Sequence, residues 1–123
     1  DRTPAQRNQT WLELEHKYRP WFVFDYLPFY GRGAGWQRQL HIYECPFYYI
    51  DYCLSTMAAL QFFLLSLHDQ KDAWERYLRL VRRAGTASYT ELCETAGLQV
   101  PFRDGSIKAI AQQMSQWIAE HQV

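Results

Sequence analysis

Apolar positions recur along this chain at helical spacing, in blocks that each carry a start or stop signal. In the first block Trp11, Leu14 and Tyr18 share one face, and Thr3, Pro4 and Gln6 combine an N-cap oxygen, a proline at the first helical position and a capping-box partner. Pro20 disfavours helical backbone in the residue before it, so the pattern predicts a helix over roughly residues 4–18. Residues 20–35, PWFVFDYLPFYGRGAG, contain two prolines, three glycines and six aromatics. That composition breaks helices yet must be kept from water, which reads as a packed irregular loop. A short helix, WQRQLHIYE, follows, with Trp36, Leu40 and Tyr43 on one face and His41 displaced to its side.

Pro46 is placed to open a long apolar helix over about 47–67, FYYIDYCLSTMAALQFFLLSL. A helix apolar nearly all round in a soluble protein is a buried one, and the other helices of so short a chain offer little surface to cover it. DAWERYLRLVRRAG is amphipathic: Trp74, Tyr77, Leu78 and Val81 line one face, and Asp72 to Arg76 and Glu75 to Arg79 form oriented pairs on the other. Arg82 and Arg83 suit its C-terminal end, and Gly85 is the expected left-handed stop. Ser88 and Glu91 form a capping box for a two-turn helix ending at Gly97. Ser106 is the expected N-cap of a last helix bearing Ile107, Ile110, Met114, Trp117 and Ile118, which runs to the end of the chain. With no alternating strand pattern and no repeat, the fold class is all-α, five to six helices including one long buried apolar helix. Residues 1–123 read as a single helical segment.

Composition narrows the function. The 123 residues are 48% hydrophobic and 17% aromatic, which a disordered segment does not carry. Thirteen basic residues balance thirteen acidic ones, leaving no electrostatic footprint for nucleic acid or an anionic membrane. Asp51, Ser55, Thr56, Gln61 and Ser66 interrupt the apolar helix and no basic flank orients it, against a membrane span. Three cysteines, Cys45, Cys53 and Cys93, are too few and odd in number for a disulfide scaffold and indicate a reducing, cytoplasmic setting. DRTPAQRNQT has none of the marks of a secretory signal, and a helix start without an initiator Met suggests a piece of something longer.

His41, Tyr43, Glu44, Tyr48, Tyr49, Asp51 and Tyr52 crowd within twelve residues. If the helix began at 47, Tyr48 and Tyr52, or Tyr49 and Tyr52, would present their hydroxyls on one face. A neutral phenol donates a hydrogen bond at pH 7 and suits an oxyanion formed during peptide hydrolysis, with His41 a possible second donor. Residue chemistry alone favours the other reading, in which these tyrosines fill a helix interface. A metal site from His41, Cys45 and Cys53 is a weak pattern, since no CxxC occurs and free cysteines are most often small buried hydrophobes. Cys93 stands beside Glu91 and Glu94, which raise a thiol pKa, and no GxSxG is present. GRGAG follows no strand and matches no phosphate-binding motif.

The stretch WQRQLHIYECPFYYIDYCLSTMAALQFF resembles the C-terminal region of oligoendopeptidase F and its relatives in the thimet oligopeptidase family of zinc peptidases. The resemblance rests on His41 followed by the Pro46, Phe47, Tyr48 turn into a helix with Tyr52. TPAQRNQTWLELEHKYRPW before it and AWERYLRLVRRAGTASYTELCETAG after it resemble the same family's helices. In thimet-type relatives a glycine-rich stretch separates the His from the tyrosines, where this chain has IYECPF. The resemblance implies the C-terminal part of a larger helical metallopeptidase that cleaves short peptides. Its zinc would be held by a His-Glu-x-x-His helix and a further Glu, none of which occurs in these residues; the nearest match, Glu15-His16, lacks the flanking histidines. The zinc ligands would lie outside this chain, in the upstream part, and the segment alone would be inactive and prone to domain swapping or self-association. By resemblance His41 contacts the bound peptide, and Tyr52, with Tyr48 or Tyr49, donates to the oxyanion. The reading from a different class is a free-standing helical module that binds a partner protein.

Overall fold

The computed structural model describes residues 1–121. Six α-helices and one 3-10 helix are present, and no strand occurs among the described residues. They fall into two compact units, residues 1–49 and the described residues from Ile50 onward.

The first unit begins with α1, Pro4–Tyr18. Its capping box closes as expected: Gln6 N donates to Thr3 Oγ1 (3.3 Å) and Thr3 N to Gln6 Oε1 (2.8 Å). The loop beyond is packed by its own rings, with Phe24 stacked on Phe22 (5.1 Å) and on Tyr30 (5.3 Å), and Phe29 edge-on to Tyr30 (5.3 Å). A 3-10 helix, Ala34–Arg38, and α2, Leu40–Glu44, stand where one continuous helix was expected, because Gln39 leaves helical backbone (φ −82°, ψ 89°). The GRGAG stretch is a packing device. Gly33, at φ +76°, lies so close to α1 that a Cβ there would run into the Asn8 carbonyl. Trp36 Nε1 then donates to Asn8 Oδ1 (2.8 Å), tying the 3-10 helix to α1.

The second unit is built on α3, Ile50–His68, followed by α4 (Gln70–Arg83), α5 (Tyr89–Ala96) and α6 (Ser106–Glu120). Ala58, Phe62 and Leu65 lie at helical spacing on α3 and pack against buried Cys93, Ala96, Leu98 and Val100. Phe63 meets Trp117 of α6 edge-to-face (4.9 Å), and Phe62 meets Tyr77 of α4 in the same way (5.6 Å). Within α3 the residue most fully covered is polar. Gln61, 8% exposed, donates through Nε2 to Gln99 O (3.1 Å) and accepts from Gln99 N through Oε1 (2.7 Å).

The long apolar helix is therefore present, but on its other faces Ile50 and Leu67 are about half exposed. By length and composition alone α3 could cross a membrane; here it packs on α4 and α6.

The remaining helices mostly follow their signals. Asp69 caps α4 by accepting from Asp72 N (3.0 Å), which starts the helix slightly earlier than the amphipathic block implied. Asp72 pairs with Arg76 (2.6 Å), whereas Arg79 turns to Thr95 O (3.4 Å) and Arg83 to Thr95 Oγ1 (3.1 Å) at the end of α5. Arg82 and Arg83 stand in the last turn of α4 as expected, and Arg79 and Arg83 also meet the negative pole of the neighbouring α5. The Ser88–Glu91 box forms and draws the Glu91 carboxyl below its ordinary range through hydrogen bonds from Ser88. Gly97 closes α5 in the left-handed conformation. Ser106 is the first residue of α6 and Gly105 the cap, since the Ser106 hydroxyl is committed to Arg103 O (2.8 Å). The expected run of α6 to the last residues extends outside the described ones.

Two outcomes follow from these contacts. Gln61→Leu strands the N–H and C=O of Gln99, and urea unfolding should register a loss of about 1–3 kcal/mol in the second unit. Gly33 and Gly85 share a left-handed φ, +76° and +78°, but a Cβ at Gly85 meets nothing within 4 Å. Gly85→Ala should carry only the conformational penalty of about 1–2 kcal/mol, and Gly33→Ala more, read by near-UV circular dichroism of the aromatic loop; equal losses would discount the α1 contact.

Candidate active-site residues

Between Leu40 and Tyr52 the backbone passes through a helix, a turn and a second helix. α2 makes little more than one turn and closes with Cys45 N donating to His41 O (3.1 Å). Residues 46–49 then form a turn, with Tyr48 N donating to Cys45 O (3.1 Å). Only at Ile50 does α3 begin. The helix expected from Pro46 onward fails for a specific reason: Phe47 has φ +72°, which no right-handed helix admits. Left-handed backbone at a residue with a Cβ costs about 1–2 kcal/mol, and the Phe47 ring is 95% exposed, so its own burial offsets none of that within this unit.

The turn corrects the predicted geometry of the tyrosines. Tyr48 and Tyr49 precede α3, so the i, i+3 and i, i+4 relations to Tyr52 do not place them on one helical face. They gather on His41 instead. The Tyr48 ring stacks on the imidazole (5.8 Å between centroids, 11° between planes), and Tyr49 packs at a tilt (5.0 Å, 56°). His41 is half-buried, and with Leu40, Glu44, Cys45 and Tyr48 it lines a pocket of about 190 Å³. Tyr48 and Tyr49 remain about half exposed. The arrangement offers two phenol hydroxyls and an imidazole in one place, groups that can donate to, or accept from, a bound polar chain.

Tyr52 belongs to the second unit, on the first turn of α3, with its side chain about half exposed. Its carbonyl accepts from Thr56 Oγ1 (2.6 Å) and Ser55 Oγ (3.1 Å). The other chemistry-bearing groups stand apart. Among the described residues no three His, Cys, Asp or Glu side chains converge as metal ligands. Cys45 and Cys53 are exposed and Cys93 is buried. Burial pushes the Cys93 thiol up; a hydrogen bond with Tyr89 works against that and the Glu94 charge adds to it. The Tyr89 hydroxyl, raised by its own burial and by Cys93, donates to Leu54 O (2.8 Å). The sequence pattern missed the left-handed Phe47. Its one available sign was the Pro46-Phe47 pair itself, which reads equally well as a turn or a helix start.

No family profile matches the chain, and no curated protein does. Solved structures do. An oligoendopeptidase F shares 39% identity over 97% of this chain, with a TM-score of 0.88. PZ peptidase A, solved with an inhibitor, shares 42% identity over 96% of it, also at 0.88. The chain covers 21% of each of those longer chains, corresponding to their C-terminal part. Sequence and backbone agree along nearly its whole length, so this chain is similar to a C-terminal segment of oligoendopeptidase F and of PZ peptidase A.

Proposed function

We propose that this segment supplies the substrate-facing side of a zinc-dependent oligoendopeptidase that hydrolyses short peptides in the cytoplasm. The observation that carries the reading is the cluster of Tyr48 and Tyr49 on His41, within a segment alike in sequence and backbone to two peptidases. His41 contacts the backbone of the bound peptide. Tyr52, with Tyr48 or Tyr49, donates a hydrogen bond to the carbonyl oxygen as it acquires negative charge. A neutral phenol serves this purpose because the donated bond strengthens as charge develops, which lowers the transition state more than the bound ground state. The described residues do not fit a zinc site, so its ligands are assigned to the upstream part of the enzyme. The segment contributes hydrogen bonding and shape.

That division of labour has measurable consequences. The 123-residue chain alone should take up no stoichiometric zinc and leave a fluorogenic peptide uncut; cleavage by the chain itself would refute the assignment. In the enzyme that contains it, Tyr52→Phe should lower kcat by about 10²-fold with the fold intact by circular dichroism. An unchanged kcat would return Tyr52 to a packing role.

A further inference from the structure

We infer that Phe47 is a positioning residue: its left-handed backbone, and not its ring, holds Tyr48 and Tyr49 against His41. The argument starts from two unfavourable features at one position. A bulky residue at φ +72° is uncommon, and this one leaves its ring almost wholly in solvent. Strain of this kind persists where the surrounding structure needs the geometry it imposes.

What the geometry imposes is visible on either side. Pro46 has the fixed φ and missing N–H that suit the first turn of a helix, and residues 47–49 are followed directly by nineteen helical ones. With Phe47 right-handed, α3 would extend back through Tyr48 and Tyr49 and draw their rings onto a helix surface. With Phe47 left-handed, the chain reverses, Tyr48 N reaches Cys45 O, and the two rings return to His41 at 5.8 and 5.0 Å. The ring of Phe47 itself takes no part in that cluster. One backbone angle thus selects between two placements of the groups assigned to substrate.

The inference separates backbone from side chain, so substitutions at one position test it. Glycine accepts left-handed backbone freely, whereas β-branched valine resists it. In the 123-residue chain, Phe47→Gly should retain the nuclear Overhauser contacts between the His41 and Tyr49 rings. Phe47→Val should lose them and gain helical shifts at 47–49, with Phe47→Ala in between. The Trp36 indole resonance, bonded to Asn8, reports whether the first unit remains folded in each variant. Contacts that survive in Phe47→Val, or that vanish equally in Phe47→Gly, would overturn the inference.

A second arm rests on the proposed function. In the enzyme containing the segment, Phe47→Gly should keep kcat within about twofold of the parent, and Phe47→Val should lower kcat by about tenfold or more while changing KM less. Equal losses in both variants would show that the ring matters and would overturn the positioning role. If the ring contacts respond as expected but kcat stays constant throughout, the geometry stands and the catalytic assignment of Tyr48 and Tyr49 falls.

Discussion

The hydrogen bonds from the buried Gln61 side chain to the backbone of Gln99 are the constraint around which the second unit is arranged. An apolar helix can slide and rotate against apolar neighbours at little energetic penalty, because hydrophobic burial is not directional. A side-chain amide that donates to one backbone carbonyl and accepts from the same residue's N–H cannot. It fixes both the height and the rotation of α3 relative to the segment after α5. Ala58, Phe62 and Leu65 then fall opposite Cys93, Ala96, Leu98 and Val100. Tyr89 adds a second anchor on Leu54 O, nearly two turns toward the start of the helix. The Gln61 anchor pairs the N–H and C=O of Gln99, which lie outside any helix and would otherwise turn to water.

The polarity of those anchors bears on α3 as a whole. Where the helix meets α4, α5 and α6, its contacts are mixed; where it does not, Ile50 and Leu67 are left open. Relatives about five times as long as this chain contain many further residues able to cover such faces. The open apolar surface is therefore what a segment of a larger helical fold should present. The first unit differs in kind. It is held by ring stacking in an irregular loop and by Gly33 and Trp36 against α1.

Elements governed by local chemistry were legible in the sequence. Thr3 with Gln6, and Ser88 with Glu91, bracket their helices where the pattern placed them, since a cap is a short-range interaction of a few neighbouring residues. Gly85 and Gly97 likewise sit in the left-handed conformation expected after a helix. Legibility failed where two local signals were equally strong. Pro46 suits a helix start and a turn, and the choice is made by Phe47, whose composition gives no hint of positive φ. Gln39 interrupts a helical pattern with no breaker residue, and Ser106 gave up a capping role to bond Arg103 O. What the sequence offered of the candidate site was residue types, His41 with three tyrosines. Its arrangement was not, because the rings of Tyr48 and Tyr49 follow a backbone reversal and not a helical period.

The three thiols occupy environments different enough to serve as internal reporters. Cys45 and Cys53 face solvent, one in each unit, while Cys93 lies within the apolar cluster beside Tyr89 with its ionisation suppressed by burial. An alkylating reagent thus meets two thiols in the folded chain, and meets the third only when α5 parts from α3. The pace at which Cys93 is modified is a clock for that parting. It times the opening of the second unit from a residue the molecule already carries, without a label introduced into its core.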